Sequence, residues 1–142
     1  MIYTELTKKA MKICFECHKD QYDKSGMPYV FHPFHLAEQM ADELSTVCAL
    51  LHDVIEDTEI SFEDLKNLGF NDEIISVLKL LTHDDVVDYF EYVTKIKSNE
   101  TARKVKIADL NHNSDINRLN EIKEEDYIRI NKYKKAIDIL NE

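Results

Sequence analysis

Tryptophan is absent from the 142 residues, glycine and proline occur only twice each, and cysteine three times. With so few chain breakers there is little material for the repeated tight turns of a many-stranded sheet or for a flexible linker. Three cysteines are too few, and an odd number, for the disulfide framework that holds a small secreted domain together. Basic residues are the minority, 18 Lys and Arg against 28 Asp and Glu for a net charge of −10. A field of that sign repels phosphate backbones, and no basic stripe overrides it, so the charge weighs against nucleic acid and no nucleic-acid partner is expected. Apolar runs extend a few residues where a membrane helix needs about 20. The opening MIYTELTKKAMKICFEC is broken by Glu5 and Glu16, unlike a secretory signal. The expectation is a cytoplasmic protein with reduced cysteines and no membrane partner.

What is present is helical periodicity. Leu6, Ala10, Ile13, Cys14 and Cys17 form an apolar stripe that runs to Asp20-Gln21 and a turn at Ser25-Gly26-Met27-Pro28. Pro33 suits the first turn of a second helix carrying Leu36, Ala37, Met40, Ala41 and Leu44. Ser45 is the expected cap of a third helix, buried through Val47, Leu50, Leu51 and Val54 and ending near Asp57-Thr58. Ser61-x-x-Asp64 opens a short helix that Gly69 stops, and Ile74, Ile75, Leu78 and Leu81 mark the next. Val86 to Ile96, Asn99 to His112 and Glu124 to Leu140 complete an all-α reading. No repeat or composition break divides it, so residues 1–142 are expected to form one domain.

Chemistry is concentrated in Leu50-Leu51-His52-Asp53-Val54-Ile55-Glu56-Asp57. On a continuous helix Glu56 is four residues from His52 and three from Asp53, and Asp57 is four from Asp53, which crowds all four groups on one face. Three carboxylates there repel one another, a cost that a cation or a bound water network would relieve, and a divalent metal is the simplest explanation. A solvated acidic face is the bland alternative, usual in so acidic a chain. Two further residues favour the cation: His32, between Tyr29-Val30-Phe31 and Pro33, and Asp109, a lone acid within Val105-Lys106-Ile107-Ala108-Asp109-Leu110. Two imidazoles and two carboxylates make a nitrogen and oxygen site suited to manganese, iron or zinc, with positions open to water and substrate.

The order of these residues resembles the metal-dependent HD-domain phosphohydrolases, and more narrowly the hydrolase domain of the Rel/Spo alarmone enzymes and their small stand-alone relatives. Lys24-Ser25-Gly26-Met27-Pro28-Tyr29-Val30-Phe31-His32-Pro33 is similar to that family's K-S-G-x-P-Y-x-x-H-P stretch. Ala49 to Thr58 is similar to A-L-L-H-D-x-x-E-D-T, and Val105 to Asn113 to V-K-x-A-D-x-x-H-N. The resemblance implies a helical bundle of HD type in which His32, His52, Asp53 and Asp109 ligate one manganese ion, other divalent metals being possible. It implies Glu56 and Asp57 as an acid/base pair, and Lys24, Ser25 and Asn113 as nucleotide-binding residues. Lys106, three residues before Asp109, is the expected phosphate-facing lysine. The implied activity is release of pyrophosphate from the 3′ position of guanosine-3′,5′-bis(diphosphate), a small-molecule partner; the sequence leaves the oligomeric state open. Two departures, Asp23 where the family carries arginine and Leu110 where it often carries a basic residue, remove positive charge. They keep two alternatives open: the same chemistry on another nucleotide or phosphorylated cofactor, or an inactive nucleotide sensor.

Other features take quieter readings. Cys14-x-x-Cys17-His18 matches a haem-attachment pattern but lies on a core stripe, so buried cysteines are expected. Tyr89, Phe90 and Tyr92 read as core with a wet edge. Lys95, Lys97, Arg103 and Lys104 read as a solvated helix surface, His35 as exposed, and His83 and His112 as surface or packing residues, although His112 is three residues from Asp109.

Overall fold

The computed structural model describes residues 1–142. Nine α-helices follow one another: α1 (Glu5–His18), α2 (Phe31–Glu38), α3 (Glu43–Leu51), α4 (Val54–Asp57), α5 (Phe62–Asn67), α6 (Asp72–Leu81), α7 (Tyr89–Ile96), α8 (Glu100–Asn113) and α9 (Glu124–Asn141). A 3-10 turn, Ile116–Arg118, joins the last two, and the only strand-like pairing is an isolated bridge between Tyr22 and Pro28.

Helix α3 explains the arrangement. Every residue from Ser45 to Leu51 is buried, and a helix apolar all round must be surrounded. It lies against α1, α2, α6 and α8. Its Val47, Leu50 and Leu51 join Leu36, Leu78, Val105 and Leu110 in one continuous core. The C-terminal end of this most buried helix delivers His52, α2 delivers His32, and α8 delivers Asp109. Since α2 and α8 also pack on each other, all three residues reach one place.

Several boundaries differ from the periodicity reading. Asp42, not Ser45, caps α3, its carboxylate accepting from the Ser45 amide at 2.8 Å. That cap ends α2 early, at Glu38, and passes Leu44 to α3. The third helix does not run on to Asp57. It stops at Leu51, and Asp53 takes φ −103° and ψ −1°, in the sparsely populated bridge region. The His52 ring bonds through Nδ1 to the Ala49 carbonyl at 2.7 Å, competing for the acceptors that would continue the helix. A separate turn, α4, then closes with Asp57 N–H donating to the Asp53 carbonyl at 3.0 Å. Helix α7 begins at Tyr89 rather than Val86 because the Asp88 carboxylate accepts from the Phe90 and Glu91 amides. The capping box at Ser61 and Asp64 forms as expected, and Gly69 ends that segment at φ +101°, a backbone region costly for other residues.

Candidate active site

Asp109 is the hub. Its Oδ1 lies 2.9 Å from His32 Nε2 and 3.5 Å from His52 Nε2, and accepts from Asn113 Nδ2 at 2.9 Å. Its Oδ2 accepts from Lys106 Nζ at 3.0 Å. Burial disfavours the Asp109 charge, but Lys106 and the two histidines outweigh it and hold the carboxyl well below its ordinary range. His32, His52 and Asp109 are all buried, and one donor atom from each falls within 4.8 Å of the others. Asp53 stands at the rim of this group, its Oδ2 2.8 Å from His52 Nε2 and 3.9 Å from His32 Nε2. The Tyr29 hydroxyl donates to that same carboxylate.

His52 supplies the test of fit for a cation. Its Nδ1–H donates to the Ala49 carbonyl, which leaves the Nε2 lone pair as the coordinating position of the neutral ring. That Nε2 is buried and has no aligned hydrogen-bond partner, although Asp53 Oδ2 is close to it. Burial pulls the His52 pKa down, and the carboxylates of Asp53 and Asp109 more than reverse this, raising it well above the usual value. An orphaned imidazole nitrogen facing two carboxylates is what a divalent cation completes, with release of the proton it displaces.

Glu56 and Asp57 follow on α4. Burial raises the Glu56 pKa, with the His83 amide donating to its Oε1 and opposing the shift. Burial, then Asp53 and Glu56, push Asp57 up to about 6. Glu56 lines a cavity of about 300 Å³ together with Asp53, His83, Lys106, Asp109 and Lys132. Asp57, next to Glu56 on α4, does not line it. A second cavity of about 330 Å³ holds Lys24, Ser25, Arg118 and Arg129, and the two share Tyr29, Asn113 and Tyr133 as walls.

No family model matches the chain. A guanosine-3′,5′-bis(diphosphate) 3′-pyrophosphohydrolase of Borreliella burgdorferi is 33% identical over 122 residues, covering 74% of this chain and 18% of that protein. One of the same name from Spiroplasma citri is 34% identical over 124 residues, covering 75% of this chain and 16% of that protein. A GTP pyrophosphokinase of Streptomyces coelicolor is 34% identical over 105 residues, covering 71% and 12%. The chain thus spans less than a fifth of the length of these curated relatives. Among solved structures, one described as a metazoan ortholog of SpoT that hydrolyzes ppGpp superposes with a TM-score of 0.78 at 24% identity, over 99% of this chain and 88% of that one. This chain is a Rel/Spo-type HD domain.

Within the HD domain the remaining expected residues separate. Ser25 Oγ donates to the Arg118 carbonyl at 2.6 Å, and Lys24 Nζ lies 3.6 Å from Asp126 of α9; both line the second cavity. Asn113 serves both cavities and accepts from Arg118 Nη1 at 3.2 Å. Lys106 lines the first cavity, but its charge is engaged by Asp109 and its Nζ sits 5.3 Å from the centre of the Tyr92 ring. It neutralises the site rather than standing free for phosphate. The cation in that cavity with no carboxylate partner is Lys132, 4.3 Å from the centre of the Tyr89 ring.

Asp23 has a structural reason to be acidic. Its Oδ1 accepts from the Ser25 amide at 2.8 Å and the Met27 amide at 3.0 Å, folding the turn in which Gly26 takes φ +80°. Its Oδ2 lies 3.7 Å from Arg118, so a guanidinium reaches this wall from the 3-10 turn instead. Leu110 is buried in the core. Sequence reasoning missed Tyr29, His83 and Lys132 as site residues and undervalued His112, whose Nδ1 lies 2.7 Å from His32 Nδ1. The available signals were the place of Tyr29 in the K-S-G-x-P-Y stretch and of His112 in the V-K-x-A-D-x-x-H-N stretch, three residues from Asp109; His83 and Lys132 carried none. Cys14, Cys17 and Cys48 are free thiols, and burial pushes the Cys14 thiol up.

Proposed function

We propose that this HD domain is a divalent-cation-dependent phosphohydrolase that removes the 3′-pyrophosphate of guanosine-3′,5′-bis(diphosphate). One observation carries the reading: a buried His32, His52 and Asp109 cluster, with Asp53 at its rim, opens onto a cavity that also holds a raised-pKa carboxyl, Glu56. The names of the Borreliella and Spiroplasma relatives support the substrate.

His32, His52, Asp53 and Asp109 would hold the cation, which we take to be manganese. When bound, it supplies charge that offsets the phosphoryl oxygens and makes a water acidic enough to attack near neutral pH. Glu56, in the cavity wall, would take the proton of the attacking water. Asp57, the other member of the acid/base pair, does not line the cavity and would return a proton to the leaving oxygen only through a water. Water oxygen joins the phosphorus, the bond from phosphorus to the ribose 3′-oxygen breaks, and that oxygen takes a proton. The products are pyrophosphate and guanosine 5′-diphosphate. Lys24, Ser25 and Asn113 with Arg118 would hold the nucleotide in the second cavity, and Lys132 would meet phosphate in the first. We place this chemistry in the cytoplasm; no helix is long and apolar enough to cross a membrane.

The test is incubation of manganese-loaded protein with the tetraphosphate. Release of pyrophosphate, abolished by Asp53→Ala while the circular dichroism spectrum is retained, is the expected result. Failure to release it at any manganese concentration overturns the proposal. Asp23 in the nucleotide wall gives one reason to include other phosphorylated nucleotides in the same assay, where a preferred substrate of that kind moves the specificity but keeps the chemistry.

A further inference from the structure

His32 and His52 offer the same nitrogen, Nε2, to the cluster, but their other nitrogens are held differently. His52 Nδ1 is fixed by a carbonyl, Ala49 O, which can only accept. His32 Nδ1 faces another imidazole, His112 Nδ1, at 2.7 Å. The two ring planes lie within 5° of each other and their centroids are 5.0 Å apart. Two rings that are parallel, with edge nitrogens at that short distance, are joined edge to edge in one plane rather than face to face. A contact of this kind requires one N–H and one lone pair, since two N–H groups or two lone pairs would repel.

That requirement links His112 to the cation. A metal bound at His32 Nε2 takes the lone pair there, so the ring proton must sit on Nδ1. His112 must then accept with its own Nδ1 and carry its proton on Nε2. The position of His112 is itself fixed: it belongs to the last turn of α8, one turn beyond Asp109, its backbone carbonyl accepts from Arg118 Nη1 at 2.9 Å, and the His35 ring lies 4.2 Å from its own. One helix thus carries both a ligand, Asp109, and the acceptor that aims a second ligand, His32.

We infer that His112 is a positioning residue that sets the tautomer and orientation of His32 through a coplanar Nδ1 to Nδ1 hydrogen bond, and so tunes the affinity of the site for a divalent cation. The inference rests on the metal-centre reading above. Unlike Tyr29, which donates to an acidic ligand, His112 must act as an acceptor, and only a side chain with a lone pair near that point can replace it.

The experiment is calorimetric titration of metal-stripped protein with manganese and with zinc, for wild type, His112→Phe and His112→Gln, each checked for folding by circular dichroism. Phenylalanine keeps the ring volume without an acceptor, and its dissociation constant should rise about 10- to 100-fold. Glutamine keeps a carbonyl acceptor and should recover most of that loss. If phenylalanine binds within about twofold of wild type, or glutamine loses as much as phenylalanine, the inference is overturned. Should His112→Phe fail to fold, long-range nitrogen–proton spectra of the zinc-loaded wild type decide it. A proton on His32 Nδ1 together with one on His112 Nε2 is expected, and a proton on His112 Nδ1 overturns the inference. Wild-type protein that binds neither metal overturns the metal centre as well, whereas normal metal binding without hydrolysis of the tetraphosphate overturns only the proposed substrate.

Discussion

Tyr29 sits where a single atom matters. Its hydroxyl donates to Asp53, and burial with the nearby Asp53 charge raises its own pKa, so it stays a donor. Tyr29→Phe keeps the ring against His18 and His32 but removes the proton that orients the carboxylate. Turnover in the pyrophosphate-release assay should fall about 10- to 100-fold, with secondary structure unchanged. Leu50 is fully buried in α3, and Leu50→Ala should cost about 2–5 kcal/mol in urea unfolding, the combined penalty of lost transfer energy and a residual cavity. The first substitution is expected to change rate and the second stability. What separates them is whether the side chain touches a ligand of the site.

At the scale of elements, the caps decided where helices begin. Asp42→Ala removes the acceptor for the Ser45 amide at the start of α3 and should cost about 1 kcal/mol at neutral pH. Hydrogen bonds from the Ser45 side chain and amide hold the Asp42 pKa below its ordinary value. A carboxyl lowered in the folded state stabilises fully above its unfolded pKa, about 3.9, and loses that contribution as pH falls through the folded value. Urea midpoints of wild type and Asp42→Ala should therefore differ at pH 7 and converge in acid. Helix α4 shows the opposite case, in which pattern misleads. The residues from His52 to Asp57 fit one face of a continuous helix, but the bend at Asp53 parts His52, at the end of α3, from Glu56 and Asp57 on α4, and of these two only Glu56 lines the cavity.

For the whole molecule, a cation at the proposed centre would couple distant segments. His32, His52 and Asp109 come from α2, the end of α3, and α8, so a metal that binds only the folded chain stabilises it by mass action. Manganese at about 100 times its dissociation constant should add about 2.7 kcal/mol, a rise of several degrees in Tm for a domain this size. A chelator should reverse it, and Asp109→Ala should abolish the metal-dependent rise. A Tm indifferent to manganese would count against the centre. The same global view accounts for the acidic composition: within the site, Lys106 and the two histidines offset the buried acid of Asp109, while the surplus acids elsewhere are free to be solvated.

The sequence by itself determined the helical class, the buried character of α3, the Ser61 capping box and the motif residues around His32, His52 and Asp109, because periodicity and local spacing are properties of neighbours along the chain. It could not determine the bend after His52, the diversion of the Lys106 charge to Asp109, the use of Asp23 as a turn anchor, or the edge-to-edge pairing of His32 with His112. The first three are short-range contacts that local spacing permits without requiring, each chosen by its surroundings, whereas the last depends on which surfaces meet. His32 and His112 lie 80 positions apart, and no spacing rule joins them until α2 and α8 pack together and place two ring nitrogens within hydrogen-bonding reach.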